Sequence, residues 1–294
     1  IDITTSTYHS CALIENWTVM CWWSNYVWKL WSWDDINYYT PIRVRDEYSD
    51  HISGVTWISS WASFTCALKN DWRVKCWWYG YWNTPQFIEL IWTKQVSVWW
   101  QHACALMNTN KVKCWWMNNH WQLWANIAIS NFSKSDDPVE VYWLSWVKSI
   151  SSGWDVTCAL LFTWTVKCWW ANNFRYLWIP TYGDKNIPVE IPDISWVEKI
   201  SVWWGLKCAI LSSWKVKCWW IGFYWWLWNG TNINNYKPQL VLNLDNVDEI
   251  WAWIWNACAI LNNWNLKCWW MNDVWQLWAW NTVTTNTPVD IPFE

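Results

Sequence analysis

The sequence predicts an all-β fold of the β-propeller class, built from repeated four-stranded antiparallel blades. Its twelve cysteines form six pairs, and the two members of every pair are ten positions apart. Successive pairs follow at intervals of about 50 residues, a period typical of propellers and solenoids. Short β-branched stretches separate the pairs, and no stretch has a convincing helical period. Six repeats therefore predict a six-bladed propeller or part of a seven-bladed ring, as a single domain over residues 1–294. The pairs on which the repeats are centred are Cys11 and Cys21, Cys66 and Cys76, Cys104 and Cys114, Cys158 and Cys168, Cys208 and Cys218, and Cys258 and Cys268.

The fourth repeat shows the four strands that we expect in each unit. They are Val147–Ser152, Cys158–Leu161, Thr165–Trp169 and Pro188–Ile191. A proline opens the last strand of every unit, a position where a missing N–H is tolerated. These prolines are Pro41, Pro85, Pro138, Pro188, Pro238 and Pro288. The last predicted strand is Pro288-Val-Asp-Ile291, and it could also complete the first blade and close the ring.

The cysteine spacing fits a hairpin with a three-residue loop. If Glu15-Asn16-Trp17 is that loop, Cys11 faces Cys21 across the two strands. Directly opposed residues have Cα atoms about 4.5–5.5 Å apart, a distance that a disulfide accepts. All twelve cysteines are therefore predicted to pair within their own repeats, with buried free thiols as the alternative. Paired cysteines favour an oxidising compartment, hence secretion or a cell surface.

Composition excludes some functions and reveals an anomaly. The net charge is -3 with 15% charged residues, which gives no electrostatic basis for binding nucleic acid. No run of about 18 apolar residues is present, so no membrane insertion is expected. The chain has 44 Trp and only 7 Gly, far from ordinary usage. It starts with Ile, and we expect a monomeric domain of a larger chain.

Most of these tryptophans occupy positions where a backbone of this kind needs glycine. The loop position six residues after each first cysteine should be left-handed, which glycine adopts freely and a bulky residue rarely. In three aligned positions Trp alternates with Gly or Asn, and not with Phe, Tyr or Leu. Six after the first cysteine stand Trp17, Trp72, Asn110, Trp164, Trp214 and Trp264. Five before it stand Trp61, Trp99, Gly153, Trp203 and Trp253, and twelve before it Gly54, Trp92, Trp146, Trp196 and Asn246.

One tryptophan position behaves differently. Directly after each second cysteine comes a Trp on a predicted strand, where a large aromatic side chain would pack between blades. These six are Trp22, Trp77, Trp115, Trp169, Trp219 and Trp269, and we interpret them as true tryptophans.

With glycine in place of Trp264, Trp270, Trp275 and Trp278, the sixth repeat resembles that of the regulator of chromosome condensation family. It resembles the cysteine-containing form common in secreted bacterial proteins. The resemblance covers essentially the whole chain and rests on Cys-Ala-Leu/Ile, Val/Leu-x-Cys-Trp and, in most repeats, a Gln-Leu segment. The second repeat departs from it by lacking a clear Gln-Leu segment. The resemblance implies a β-propeller, typically with seven blades.

A difference in genetic code is our hypothesis for the anomaly. Some bacterial lineages read UGA as glycine, and another variant code reads it as tryptophan, so a gene of the first kind translated with the second code would yield this chain. UGG codons at Trp17, Trp23 and Trp28 would contradict the hypothesis. The rival interpretation is a true Trp-rich protein that binds glycans by stacking.

No catalytic pattern emerges. His9 and His102 share the position two before a first cysteine, which favours a structural role, and His51 and His120 are isolated. Asp34-Asp35 and Asp136-Asp137 are interpreted as solvated loop residues without the spacing of a calcium loop. We therefore expect no enzyme activity, no cofactor and no metal site.

Binding remains as the expected function. Propellers bind through the connecting segments that differ between repeats, and Tyr, Trp and Arg are frequent energetic anchors. The candidate partner-binding residues are Tyr26, Tyr79, Tyr81, His120, Phe174, Arg175, Tyr176, Phe223, Tyr224 and Trp226. They predict a non-catalytic extracellular protein-binding or adhesion module. The alternative is an inhibitor of an extracellular enzyme, resembling the propeller-type β-lactamase inhibitory protein.

Overall fold

The structure is a computed structural model of the 294-residue chain. It describes residues 2–5, 9–23, 37–45, 51–61, 64–78, 82–99, 102–116, 135–153, 156–170, 185–203, 206–220, 237–252, 256–270 and 285–291. These residues form six four-stranded antiparallel sheets, each with its strands in chain order, and contain no helix. The fold class is therefore all-β, as predicted, and the sheets are the blades of a six-bladed β-propeller, one of the two arrangements that the sequence left open.

The chain divides into two compact units of three blades each, Ile1–Ser145 and Trp146–Glu294. A single domain over the whole chain stays a prediction. In the first unit the strands are β1 Asp2–Thr5, β2 His9–Leu13, β3 Val19–Trp23, β4 Tyr38–Arg43, β5 Val55–Trp61, β6 Phe64–Lys69, β7 Val74–Trp78, β8 Trp82–Ile88, β9 Thr93–Trp99, β10 His102–Met107, β11 Val112–Trp116 and β12 Ser135–Glu140. In the second unit they are β13 Val147–Gly153, β14 Val156–Leu161, β15 Val166–Trp170, β16 Lys185–Glu190, β17 Val197–Val202, β18 Leu206–Leu211, β19 Val216–Trp220, β20 Gln239–Leu240, β21 Val247–Ala252, β22 Asn256–Leu261, β23 Leu266–Trp270 and β24 Thr285–Ile291.

Every cysteine pair lies in the predicted hairpin register. Cys11 is opposite Cys21 and Leu13 is opposite Val19, because residues 15–17 form the three-residue loop. The other five hairpins repeat this arrangement, with Cys66 opposite Cys76, Cys104 opposite Cys114, Cys158 opposite Cys168, Cys208 opposite Cys218 and Cys258 opposite Cys268.

All six predicted disulfides are formed within their own blades, so the alternative of buried free thiols was wrong. Cys11 is bonded to Cys21, Cys66 to Cys76, Cys104 to Cys114, Cys158 to Cys168, Cys208 to Cys218 and Cys258 to Cys268. In each bond the two Cα atoms are 4.1 Å apart, slightly closer than expected for opposed residues. No free cysteine is found among the described residues, and the six intrachain disulfides indicate an oxidising environment.

Five of the six strand tryptophans, which directly follow each second cysteine, are buried as predicted, whereas Trp22 is half-buried. Trp115, Trp169 and Trp269 are fully buried, and Trp77 and Trp219 nearly so. In the first unit the Trp77 indole packs in a cluster that contains residues of the first two blades. In the second unit Trp219 and Trp269 occupy equivalent clusters. Each of these three side chains thus joins two neighbouring blades and stabilises their contact.

Hydroxyl groups on the first strands also join neighbouring blades. The Thr4 hydroxyl accepts a hydrogen bond from the Ser60 backbone N–H at 3.1 Å, and the Ser59 hydroxyl accepts one from Val98 at 3.1 Å. In the second unit, Ser151 accepts the same bond from Val202 at 3.0 Å. This position was missed in the sequence, although a small hydroxyl residue recurs seven residues before most first cysteines.

The fourth strands required two corrections. Pro41, for example, does not open its strand but lies inside β4, at the shift in register between the pairs Cys21/Ile42 and Trp23/Tyr38. At this irregular point the missing N–H interrupts no paired position of the ladder. The last strand, β24, pairs with β23 of its own blade. The prediction that it completes the first blade was wrong, because β4 already supplies the fourth strand there.

Candidate partner-binding surface

The ten candidate partner-binding residues lie outside the described residues. By chain order, each falls between the third and fourth strand of its repeat, at what we call the loop end of the blade. The loop end also carries the connections between first and second strands. The segment that joins the third and fourth strands is short in the second blade, residues 79–81, and long in the third blade, residues 117–134. This difference in length shows that the loop end varies between repeats that otherwise share strand registers.

The opposite end, which we call the turn end, carries the hairpin turns between second and third strands and the connections from each blade to the next. Nine tryptophans there have positive φ angles, and we call them the turn-end tryptophans. They are Trp17 (φ 61), Trp72 (φ 60), Trp92 (φ 65), Trp143 (φ 60), Trp146 (φ 58), Trp164 (φ 64), Trp196 (φ 57), Trp214 (φ 60) and Trp264 (φ 69). All lie in the left-handed region that favours glycine.

Backbone hydrogen bonds explain why the last residue of each hairpin loop has a left-handed conformation. The Trp214 N–H donates to the Leu211 carbonyl at 2.8 Å and closes the turn. The Trp214 carbonyl accepts the N–H of Val247, in the next blade, at 3.0 Å. Trp17, Trp72 and Trp164 make the same bond to Val55, Thr93 and Val197. The turn therefore links two blades through backbone atoms alone.

The residue twelve before each first cysteine has a complementary bond within its own blade. The Gly54 carbonyl accepts the N–H of Asn70 at 2.7 Å, and the Trp196 carbonyl accepts that of Ser212 at 2.7 Å. Gly54 has φ 66, close to the values of its Trp equivalents. The same backbone conformation is thus used whether the position holds Gly, Trp or Asn246 (φ 59).

A third left-handed position was missed in the sequence. Trp143, Asp193 and Asn243, each fifteen before a first cysteine, have φ values of 60, 60 and 57. The sequence carries this signal in the last three repeats only, where Trp, Asp and Asn alternate at the position. Because Asp and Asn are the non-glycine residues that tolerate this region best, the position follows the same rule as the other two.

These positions are costly for Trp. A left-handed backbone costs a residue with a side chain about 1–2 kcal/mol. Nine such residues would together cancel a free energy of folding of the usual size, about 5–15 kcal/mol. The backbone of the turn end therefore supports the interpretation that these positions suit glycine.

Among the other predicted glycine positions that the structure describes, Trp116 also has a positive φ, whereas the rest have a different explanation or none. Trp116 has φ 84, whereas Trp61 and Trp99 do not have positive φ and stack in the core with ring centroids 4.0 Å apart. At the equivalent Gly153, an added Cβ would lie 2.9 Å from Val202 Cγ1 of the next blade. A side chain at position 153 is therefore disfavoured by the close approach of the next blade, and not by the φ angle of the residue. Trp270 lies in β23 without a positive φ, and Trp275 and Trp278 lie outside the described residues.

Side chains of the turn-end tryptophans are exposed. Trp143 and Trp264 are 80% and 81% accessible. Trp72 stacks on Trp92 with ring centroids 5.1 Å apart, and the Lys148 ammonium lies 4.5 Å from the Trp164 ring centroid. In the printed chain, the turn end therefore presents aromatic rings to solvent.

The histidines shared by two repeats are in structural surroundings. His9 Nε2 is 2.8 Å from the Thr65 hydroxyl of the next blade, and both side chains are buried. Burial lowers the pKa of His102 well below its ordinary value of 6.5, so its ring is neutral in the folded protein. His51 is half-buried, and His120 lies outside the described residues. These surroundings agree with the structural role predicted for His9 and His102.

Charged side chains form ion pairs between first strands of neighbouring blades in the second unit. Lys148 Nζ is 2.9 Å from Glu198 Oε2, and Lys199 Nζ is 2.6 Å from Glu249 Oε1 and 3.2 Å from Asp248 Oδ1. Burial lowers the pKa of Lys199, but its hydrogen bonds to Glu249 and Asp248 and their charges outweigh burial, so the pKa is raised. These pairs are half-exposed, so each contributes little to stability.

No group of three or more His, Cys, Asp or Glu side chains in the described part of the chain is arranged to hold a metal ion. The prediction that Asp136 and Asp137 lie in a loop was wrong, because both belong to β12, which begins before Pro138. Asp34 and Asp35 lie outside the described residues. Among the described residues, no helix is long and apolar enough to cross a membrane.

Comparison with known proteins identifies the fold. No protein-family model matches the chain, and no curated protein matches its sequence. Its structure is similar to Prp20p of Saccharomyces cerevisiae, with a TM-score of 0.80, 16% identity and coverage of 100% of this chain and 77% of Prp20p. In the complex of Kap60 with yeast RCC1 (Prp20), the TM-score is 0.83, with 17% identity and coverage of 100% and 75%.

Two further structures extend the comparison. Human WBSCR16 matches with a TM-score of 0.80, 13% identity and coverage of 99% of this chain and 81% of that one. The ectodomain of the Physcomitrella patens receptor kinase CR4 matches with a TM-score of 0.56, 16% identity and coverage of 92% and 60%. At these identities the similarity demonstrates a shared fold, which is the propeller fold of RCC1, the protein whose repeat the sequence resembles.

Proposed function

We propose that this chain is a non-catalytic extracellular module that binds a protein partner through the variable loop ends of its blades, in adhesion or in a related surface interaction. The observation that carries the proposal is the contrast between constant strands and variable segments. All six hairpins share one disulfide register. The segments that join third and fourth strands range from residues 79–81 to residues 117–134.

The similar structures support a binding role. They include Prp20p, with binding properties to Gsp1p and histones, and the same protein bound to Kap60. A third is the ectodomain of a receptor kinase. For this chain, six disulfides favour an extracellular partner over a nuclear one. Secretion by a bacterium, presentation at a cell surface and a monomeric state within a larger chain are parts of the proposal.

Recognition would use the aromatic and arginine side chains of the long segments. A cluster such as Phe174, Arg175 and Tyr176 combines three residue types that provide binding energy at interfaces. Truncating an anchor of this kind typically costs about 2 kcal/mol or more in binding free energy. The framework beneath them needs no chemical role beyond holding the segments in place.

A binding experiment with matched variants tests the proposal. Labelled chain is added to intact cells, and saturable binding that is lost after protease treatment of the cells is measured. We expect the triple variant Phe174→Ala, Arg175→Ala, Tyr176→Ala, or the equivalent Phe223→Ala, Tyr224→Ala variant, to reduce binding at least tenfold. Lys215→Ala, at the turn end, is the control and should bind like the parent. Equal binding by the parent and by a form that combines both loop-end variants would contradict the proposal.

The inhibitor alternative predicts a different result. A secreted inhibitor would reduce the activity of an extracellular hydrolase, such as a β-lactamase, at a one-to-one ratio and would not need a cell. Stoichiometric inhibition, lost in the same loop-end variants, would replace the adhesion role by this one.

A further inference from the structure

The turn-end tryptophans are the largest set of exposed aromatic side chains in the described part of the chain, and they invite interpretation as a ligand-binding surface. Eight of the nine are at least 44% accessible, and Trp164 is 36% accessible. Aromatic rings on such a surface could stack on the apolar faces of sugar rings. This is the glycan-binding interpretation that the sequence left open.

The backbone contradicts that interpretation. All nine residues have φ between 57 and 69, and the other left-handed residues of the turn end are Gly54, Asn110, Asp193, Asn243 and Asn246. A position under selection for stacking would alternate with other aromatic residues, which retain a flat face. Wherever the described backbone of the turn end is left-handed, the residue is Trp or one of the residues that tolerate this conformation, which are Gly, Asn and Asp.

The contacts agree with the backbone. The bonds that recur at these positions are made by main-chain atoms, as when the Trp214 carbonyl accepts the Val247 N–H and the Trp196 carbonyl accepts the Ser212 N–H. Neither bond depends on an indole. Where glycine is present, at Gly54, the carbonyl makes the same bond to Asn70. The turn end is thus built for backbone bonding between and within blades, with the side chain as an addition.

We infer that the nine turn-end tryptophans are glycine in the protein as its own cells make it, and that the turn end therefore has no aromatic ligand-binding surface. The inference holds for any partner and is independent of the proposed role of the loop end. It adds Trp143 to the positions indicated by sequence alone. It also leaves Trp22, Trp77, Trp115, Trp169, Trp219 and Trp269 as tryptophan.

Three synthetic forms of the full chain test the inference after secretion into an oxidising compartment. The first has the printed sequence, the second has glycine at the nine turn-end positions, and the third is a control with glycine at Trp77, Trp115, Trp169, Trp219 and Trp269 instead. The thermal midpoint is followed by near-ultraviolet circular dichroism, and the six disulfides are counted by mass. We expect the nine-glycine form to melt higher than the printed form, by roughly 2–4 °C for each replaced position, and the control to lose its cooperative transition. A nine-glycine form that melts at or below the printed form would overturn the inference.

A second series remains informative if the printed form does not fold. It consists of the nine-glycine form and two eight-glycine forms that keep either Trp214 or Trp264. Each retained tryptophan should lower the midpoint by about 2–4 °C, and an unchanged or raised midpoint would count against the inference.

Soluble cello- and chito-oligosaccharides are then titrated against the nine-glycine form, the eight-glycine forms and, if it folds, the printed form. We expect no form to bind them. Binding that requires Trp214 or Trp264 would restore the glycan-binding interpretation.

Discussion

In the fifth blade, Trp214 and Trp219 lie on the same disulfide-linked hairpin, in opposite surroundings. Trp219 is 2% accessible and packs on β19 in a core cluster that joins two blades, whereas Trp214 is 44% accessible and has a left-handed backbone with φ 60. One side chain stabilises the contact between blades, and the other is attached to a turn whose bonds are made by the main chain. The comparison teaches that the position in the repeat, and not the residue type, defines what a tryptophan does in this chain.

The largest effect is expected from truncating the buried member of this pair. Trp219→Ala should lower the free energy of unfolding by about 3–5 kcal/mol, since it removes a large buried aromatic side chain and leaves a cavity between blades. Urea denaturation followed by circular dichroism measures the change. Trp214→Ala is the matched control at the turn and should change stability far less. Equal losses for the two variants would remove the distinction between the two classes.

The disulfide between the same two strands provides the next test. Replacing Cys208 and Cys218 together by Ala should cost about 2–3 kcal/mol, because the bond closes a short loop in the unfolded chain. The same double replacement at Cys158 and Cys168 should cost a similar amount, as both pairs have the same register. If the variant without Cys208 and Cys218 were as stable as the parent chain, packing around Trp219 alone would be sufficient to stabilise the hairpin.

Replacing the exposed tryptophan of the pair should raise stability instead of lowering it. Trp214→Gly should raise the free energy of unfolding by about 1–2 kcal/mol, because glycine adopts the left-handed conformation without steric cost. Asn246→Gly, at another left-handed position (φ 59), is the control and should have little effect, since Asn tolerates that region. Thermal or urea denaturation measures both. A loss of stability in Trp214→Gly would mean that the exposed indole contributes more than the strained backbone costs.

The smallest effect near neutral pH is expected from a titratable residue within the buried strands. Burial lowers the pKa of His102 below 6.5, so the unfolded state binds a proton that the folded state does not as the pH falls below about 6.5. The contribution of neutral His102 to stability is therefore present above the unfolded pKa and is lost as the pH falls, by at most about 1.4 kcal/mol per pH unit.

Urea denaturation between pH 7.5 and pH 5 measures this slope in the parent chain and in the variant His102→Gln. The variant should show a shallower slope over the same range. Identical slopes would show that His102 does not titrate as its burial predicts.

The strand framework could be predicted because two strong local rules agree in it. The ten-residue cysteine spacing defines the hairpin register, and the observed pairs Cys11/Cys21 and Leu13/Val19 follow from it. The left-handed turn residues could be predicted for the same reason, since the loop length assigns the conformation of Trp17.

The remaining features depend on contacts that a single repeat does not contain. Pro41 lies within β4 because the partner strand shifts register there, and Ser59 is important because the next blade places the Val98 N–H beside it. The left-handed conformation of Trp143 is indicated only by comparison with the fifth and sixth repeats, which have Asp193 and Asn243 at this position. The candidate partner-binding residues belong to segments whose length and sequence differ between repeats. Their role therefore stays a prediction.

The central claim is that the sequence shows tryptophan both at true tryptophan positions and at positions that are glycine in the natural protein. The coding DNA of the fifth hairpin tests this claim most directly. The sequence of the codons for Trp214 and Trp219 needs no folded protein and no assumption about function. We predict UGA in the messenger RNA at Trp214 and UGG at Trp219, with the same division at the other turn-end and strand positions. UGG at both would show that the exposed tryptophan is genuine and that the strained turns belong to the natural protein, which would contradict the account.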